Sequence, residues 1–160
     1  MRRPKAEIAP PSIQVQINRR AVTRIRGGHP WIYRSDLLPS EPAPGPGALV
    51  SVVDERSRLL GSALYSSTSQ IALRMISSQQ VLPEELPQLI SQRVSAAIAY
   101  RKRLNVEQSG NAYRVVFSEA DQLPGLIVDR YSDVLTVQFL TQAMDRPDLR
   151  GAILPVLLAI

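Results

Sequence analysis

Four arginines, Arg19, Arg20, Arg24 and Arg26, fall within eight residues that contain no acid. Arginine carries a planar, permanent charge whose fork matches a phosphate group. Like charges three and four apart on a helix repel, so such a run is costly unless an anion lies against it. A phosphate backbone is the anion that relieves it most fully. Gly27-Gly28-His29-Pro30-Trp31-Ile32-Tyr33-Arg34 follows directly, where Trp31 and Tyr33 offer π faces and His29 can stack or donate. The segment reads as a surface that grips nucleic acid, with Arg19, Arg20, Arg24, Arg26, His29 and Arg34 as contacts. Trp31 is expected in the core rather than on that surface. Replacing Arg20 and Arg24 by Ala is expected to weaken binding with little effect on melting.

A second group is Ser118-Glu119-Ala120-Asp121-Gln122-Leu123-Pro124-Gly125, running on to Asp129-Arg130-Tyr131. Two carboxylates two apart in a loop can act as a general base and an orienting acceptor. A simpler account has Asp121 capping its own turn, Pro124-Gly125 in a type II turn and Asp129 in a surface pair. No residue is assigned a catalytic role. The chain has no cysteine and one histidine, so thiolate sites, histidine-based metal sites and Ser-His-Asp triads lack their parts, and no metal site is expected. Neither G-x-G-x-x-G nor a Walker A pattern occurs, and Gly27-Gly28 follows a helical rather than a strand pattern.

The elements that would position these groups follow from periodicity. Residues 1–12 read as a flexible leader. Ile13, Val15 and Ile17 alternate with polar residues as a half-buried strand. Asn18 can cap a short helix over 19–26, with Ala21, Val22 and Ile25 inward and Gly27-Gly28 as its stop. Residues 31–33 return to extended structure, and 39–47 form a Pro/Gly loop. Strands are predicted over 49–53, 59–65 and 71–76. A helix over 83–104 carries the apolar stripe Leu86, Leu89, Ile90, Val94, Ala97, Ile98 and Leu104. Strands over 113–117, 126–131 and 134–140 follow, with a tight turn at Ser132-Asp133, then a helix from Pro147. The almost wholly apolar stretch 152–160 is expected to pack on something, either the preceding sheet or a continuation of the natural protein, the latter favoured.

The whole has 160 residues, 44% of them hydrophobic, with a net charge of +5. That suffices for a folded core. Only Lys5 and Lys102 among the 19 basic residues are lysines. Codon bias would give the same count, so the positions of the arginines carry the argument. No apolar run is long enough for a membrane span and no signal-peptide pattern stands at the start, which predicts a cytoplasmic protein without a membrane partner.

The segments GGHPWIYRSDL, PGALVSVVDERSRLLGSALYSSTSQIALRMIS and YRVVFSEADQLPGLIVDRYSDVLTVQF resemble the N-terminal half of bacterial class I SAM-dependent methyltransferases that modify cytosine C5 in large-subunit ribosomal RNA. The resemblance covers roughly residues 13–150. It implies an α+β chain: a PUA-like, mostly antiparallel β-barrel over 13–77, then a strand-strand-helix-strand-strand middle domain over 78–144. Residues 145–160 would begin a helix leading to a SAM-binding domain not in this sequence. It implies ribosomal RNA as partner, S-adenosylmethionine as cofactor of the full-length protein only, and no methylation by this chain alone. Glu119, Asp121, Pro124, Gly125, Asp129 and Tyr131 match the family motif, with no role assigned, on a hairpin that would border the catalytic cleft. A free-standing PUA-type RNA-binding protein is the alternative, and the apolar end leaves a homodimer open.

Overall fold

Alternation and capping set the first half of the chain. The computed structural model describes residues 13–39 and 42–160; the expected leader over 1–12 lies outside them. β1 (Gln14–Gln16) leads through Asn18 into α1 (Arg19–Arg26), and the Asn18 carboxamide oxygen accepts from the Ala21 N–H at 2.9 Å. Gly28, at φ 89°, reverses the chain so that the Gly28 and His29 N–H groups donate to the Ile25 and Arg24 carbonyls. This double bond pattern closes the helix as a glycine C-cap should. β2 (Trp31–Tyr33), β3 (Leu49–Val53), β4 (Leu59–Tyr65) and β5 (Ile71–Ser77) complete a curled five-stranded half-barrel in the order β1-β3-β4-β5-β2. Only β1 and β3 pair in parallel. A bridge between Ile17 and Leu37 ties the segment after β1 to the one after β2.

The core of this unit is Val15, Ile17, Ala21, Val22, Ile32, Val50, Val52, Ala63 and Leu73. Trp31 is not in it, against expectation. Strand side chains alternate, and β2 turns Ile32 inward, fully buried, so Trp31 and Tyr33 lie on its outer side. The unit extends to Pro83. Beyond β5 the Ser62 hydroxyl donates to the Gln79 carbonyl and accepts from the Val81 N–H, which holds residues 79–81 against β4.

The second unit, Glu84–Ile160, contains α2 (Leu86–Arg103), β6 (Ala112–Phe117), β7 (Leu126–Tyr131), β8 (Val134–Phe139) and α3 (Pro147–Leu157). The strands form one antiparallel sheet in chain order. The order is therefore helix, three strands, helix, and not strand-strand-helix-strand-strand. No strand stands between the end of β5 at Ser77 and the start of α2 at Leu86, so the second unit opens on its helix. Leu86, Ile90, Val94, Ala97 and Ile98 form the buried stripe of α2. Leu104 falls one residue past the helix end and is exposed, so it leaves the expected stripe. In α3, Leu149, Ile153 and Leu157 recur every four residues and are fully buried, and the helix docks on α2. Within the apolar stretch 152–160, Ile153 and Leu157 are thus covered from within their own unit, while Leu154, Pro155, Leu158 and Ala159 stay exposed. No helix of the described residues is long and apolar enough to cross a membrane.

Candidate nucleic-acid interface

Charge divides unevenly along the chain. Residues 1–83 hold eleven of the 19 basic and five of the 14 acidic side chains, a net +6; residues 84–160 come to −1. A surface suited to phosphate is therefore expected in the first unit.

Helical periodicity separates the four arginines of α1. Arg19, Val22, Thr23 and Arg26 are spaced i, i+3, i+4 and i+7, which puts them on one face. That face forms one wall of a groove of about 460 Å³, whose other wall is the β3–β4 turn, Asp54 to Arg58. The turn contributes Arg56 and Arg58, both exposed, so four arginines converge on one cleft. Asp54 organises it from below. It is 4% exposed, its Oδ1 accepts from the Arg56 and Arg58 N–H groups, and its Oδ2 accepts from Arg58 Nε at 2.7 Å. Arg26 approaches the same oxygen at 3.8 Å, a loose contact that leaves its guanidinium more than half exposed. Arg19 and Arg56 make no ion pair with an acid among the described residues. Arg56 and Arg58 were not candidates from sequence. The signal for them is the D-E-R-S-R turn, in which an aspartate that fastens two following N–H groups sets two arginines on one side.

The other expected contacts divide. Arg20 is exposed on the neighbouring face of α1 and does not line the groove. Arg24 is committed to the fold: its Nη2 binds Asp36 Oδ2, and its guanidinium lies 5.4 Å from the centre of the Tyr33 ring. Asp36 is itself buried and accepts from the Tyr33 N–H and the Asn18 amide. Removing Arg24 would leave a buried carboxylate without its cation, so a loss of stability, and not little effect on melting, is the outcome these contacts lead one to expect for Arg24. Arg34 donates through Nη2 to the carbonyls of Ser66, Ser67 and Ser69 at 2.8–3.0 Å, which pins the β4–β5 loop. His29 accepts from the Trp31 N–H through Nδ1 at 3.2 Å and meets the Trp31 ring edge-on at 5.7 Å. His29 thus helps to order the glycine turn.

Burial of Asp54 works to raise its pKa, yet the hydrogen bonds from the Arg58 side chain and from the Arg58 and Arg56 N–H groups prevail, and it lies below the usual 3.8. A carboxylate depressed in the folded state stabilises it above the unfolded pKa and loses that contribution as pH falls through the folded one. Acid melting of the wild type should therefore include a component below pH 3.8 that Asp54→Asn abolishes. An unchanged acid limb in Asp54→Asn, followed by circular dichroism against pH, would contradict this.

In the second unit the motif residues build a hairpin. Asp121 takes a fork from Arg101 at 2.5 and 2.7 Å and the Phe117 N–H at 2.6 Å, so both oxygens of its carboxylate are engaged by structural partners. Glu119 accepts from the Ser118 hydroxyl. Asp129 pairs across the strands with Arg114, which raises the arginine's pKa through that hydrogen bond. Tyr131 is exposed. The Leu126 N–H donates to the Leu123 carbonyl across the Pro124-Gly125 turn, with Gly125 at φ 86°. That is the type II geometry. A Cβ on Gly125 would lie 2.3 Å from Thr141 Cγ2. Gly125→Ala should destabilise by more than about 1 kcal/mol, since it adds a disfavoured φ to that collision; urea unfolding with no loss would contradict it. No three-residue cluster of metal-ligating type is found among the described residues.

Comparison with known proteins fits this layout. Residues 15–78 match a family model described as a PUA-like domain. The chain is 34% identical over 138 residues to a ribosomal RNA large subunit methyltransferase of Deinococcus radiodurans, covering 83% of this chain and 33% of that protein. It is 33% identical over 119 residues to ribosomal RNA large subunit methyltransferase I of Shewanella amazonensis, covering 73% and 29%. The chain thus spans about a third of the length of these relatives. Among solved structures, a methyltransferase complexed with SAH matches with a TM-score of 0.75 at 16% identity, over 91% of this chain and 36% of the other. A SAM-dependent methyltransferase from Streptococcus mutans matches with a TM-score of 0.74 at 17% identity, over 91% and 37%. At these identities the structural likeness concerns the fold.

Proposed function

We propose that this chain is the RNA-gripping portion of a large-subunit ribosomal RNA methyltransferase, and that its first unit holds the RNA backbone in the arginine groove between α1 and the β3–β4 turn. The observation that carries this is the convergence of Arg19, Arg26, Arg56 and Arg58 on one cleft of a PUA-like unit with net charge +6. Arg20 and His29 stand beside the groove as further contacts, whereas Arg24 and Arg34 act by holding the surface in shape. The partner is ribosomal RNA in the cytoplasm, by analogy with the named activity of the two relatives. S-adenosylmethionine and the transfer to a base, cytosine C5 in the finer reading, belong to the part of the relatives' length that this chain does not span. None of the second-unit motif residues is given a catalytic task, and Asp121 is a positioning residue for the hairpin.

The test is equilibrium binding of large-subunit ribosomal RNA fragments across a salt series. Affinity should fall linearly on logarithmic axes, with a slope of about −0.7 to −0.9 for each phosphate neutralised. Absence of binding at low salt would overturn the proposal.

A further inference from the structure

The other side of α1 opens on a second cavity, of about 350 Å³. Its walls are apolar: Ile25, Pro30, Leu60 and Met75. Polar groups ring it, with His29, Ser77 and Ser78 contributing. Arg26 lines both this pocket and the arginine groove, so an apolar cavity and an anion surface share one side chain. The histidine ring is held in place. Nδ1 lies 3.2 Å from the Trp31 N–H and 3.3 Å from the Trp31 carbonyl oxygen, which leaves Nε2 as the ring nitrogen open to a ligand. The space beside Gly28 is open, since a Cβ there would meet nothing within 4 Å. Gly61 keeps β4 close to β5 beneath it: a Cβ at that position would lie 2.1 Å from the Ser77 carbonyl oxygen and 2.9 Å from Met75 Cε.

An apolar cavity with a few fixed polar groups is the usual form of a small-ligand site. A nucleotide matches this one part for part, with a flat apolar ring bearing a polar edge, joined to a phosphate. The volume suits one nucleoside and excludes a base pair. We infer that the pocket receives a single unpaired base of the RNA whose backbone lies in the arginine groove, with Arg26 on the phosphate between them and His29 Nε2 hydrogen-bonded to the base edge. This rests on the RNA-binding reading above and adds to it a preference for a bulged or looped-out nucleotide. Proteins that read RNA by sequence commonly take splayed bases in this way.

Three RNA hairpins of equal length test it: one fully paired, one with a single-nucleotide bulge carrying each of the four bases in turn, and one with an abasic residue at the bulge. At least one bulged base should bind more tightly than the abasic hairpin by about 5-fold or more, the scale of one stacked base. Ser78→Trp, a change at an exposed pocket residue, should remove that advantage while leaving affinity for the paired hairpin and its salt slope unchanged. Equal binding of every bulged hairpin and the abasic one, or an advantage that survives Ser78→Trp, would overturn the inference and leave the groove reading standing. Binding of no hairpin at low salt would overturn both.

Discussion

Replacing Arg19, Arg26 and Arg56 together by Gln should lower RNA affinity about a hundredfold at about 0.1 M salt and flatten the logarithmic salt slope by about 2. The three side chains line one groove from two elements, and each is exposed. None carries a fold contact stronger than the 3.8 Å approach of Arg26 to Asp54, so melting should hardly move. The combination of a lost slope with an unchanged melting temperature is what separates phosphate contacts from structural arginines. A variant with reduced affinity and an unchanged slope would show that these residues act through something other than the backbone charge of RNA.

Asp36→Ala should do the reverse, destabilising the first unit by about 2–4 kcal/mol, because a partly buried guanidinium and two N–H donors lose their acceptor together. Asp36 ties α1 to the turn after β2 through Arg24, Asn18 and the Tyr33 N–H. Asp36→Asn keeps an acceptor for the N–H groups but leaves Arg24 unneutralised, and should fall between Ala and wild type. Arg20→Ala, at an exposed position one residue from the groove face, should stay within about 0.5 kcal/mol of wild type. Equal melting of Asp36→Ala and wild type in urea would contradict the role given to this cluster.

These two expectations mark where the sequence was legible and where it was not. The bounds of α1 could be read, because Asn18 and Gly27-Gly28 are local signals that act within a turn of the helix. So could most strands and the Pro124-Gly125 turn, whose cues lie in adjacent residues. The division of the four arginines could not, since Asp36 stands twelve residues from Arg24 and meets it only when the turn Arg34–Asp36 folds back on α1. Arg56 and Arg58 reach the groove through the pairing of β3 with β4, a contact between segments that have no common local signal with α1. Trp31 was misplaced for a different reason: a three-residue strand leaves the choice of inward face open, and alternation gave the inward position to Ile32. In the second unit periodicity gave the helix and the three strands that follow it, and only the strand-strand-helix-strand-strand order implied by the resemblance differs.

RNA on the arginine groove of the first unit should be visible at the arginine side chains themselves. Nitrogen–proton correlation spectra of the arginine Nε–H groups, recorded as a ribosomal RNA fragment is added, give that readout. The groove predicts that the signals of Arg19, Arg26, Arg56 and Arg58 shift together while those of Arg24 and Arg34 hold nearly still. Shifts confined to arginines of the second unit, such as Arg103 or Arg130, would contradict it.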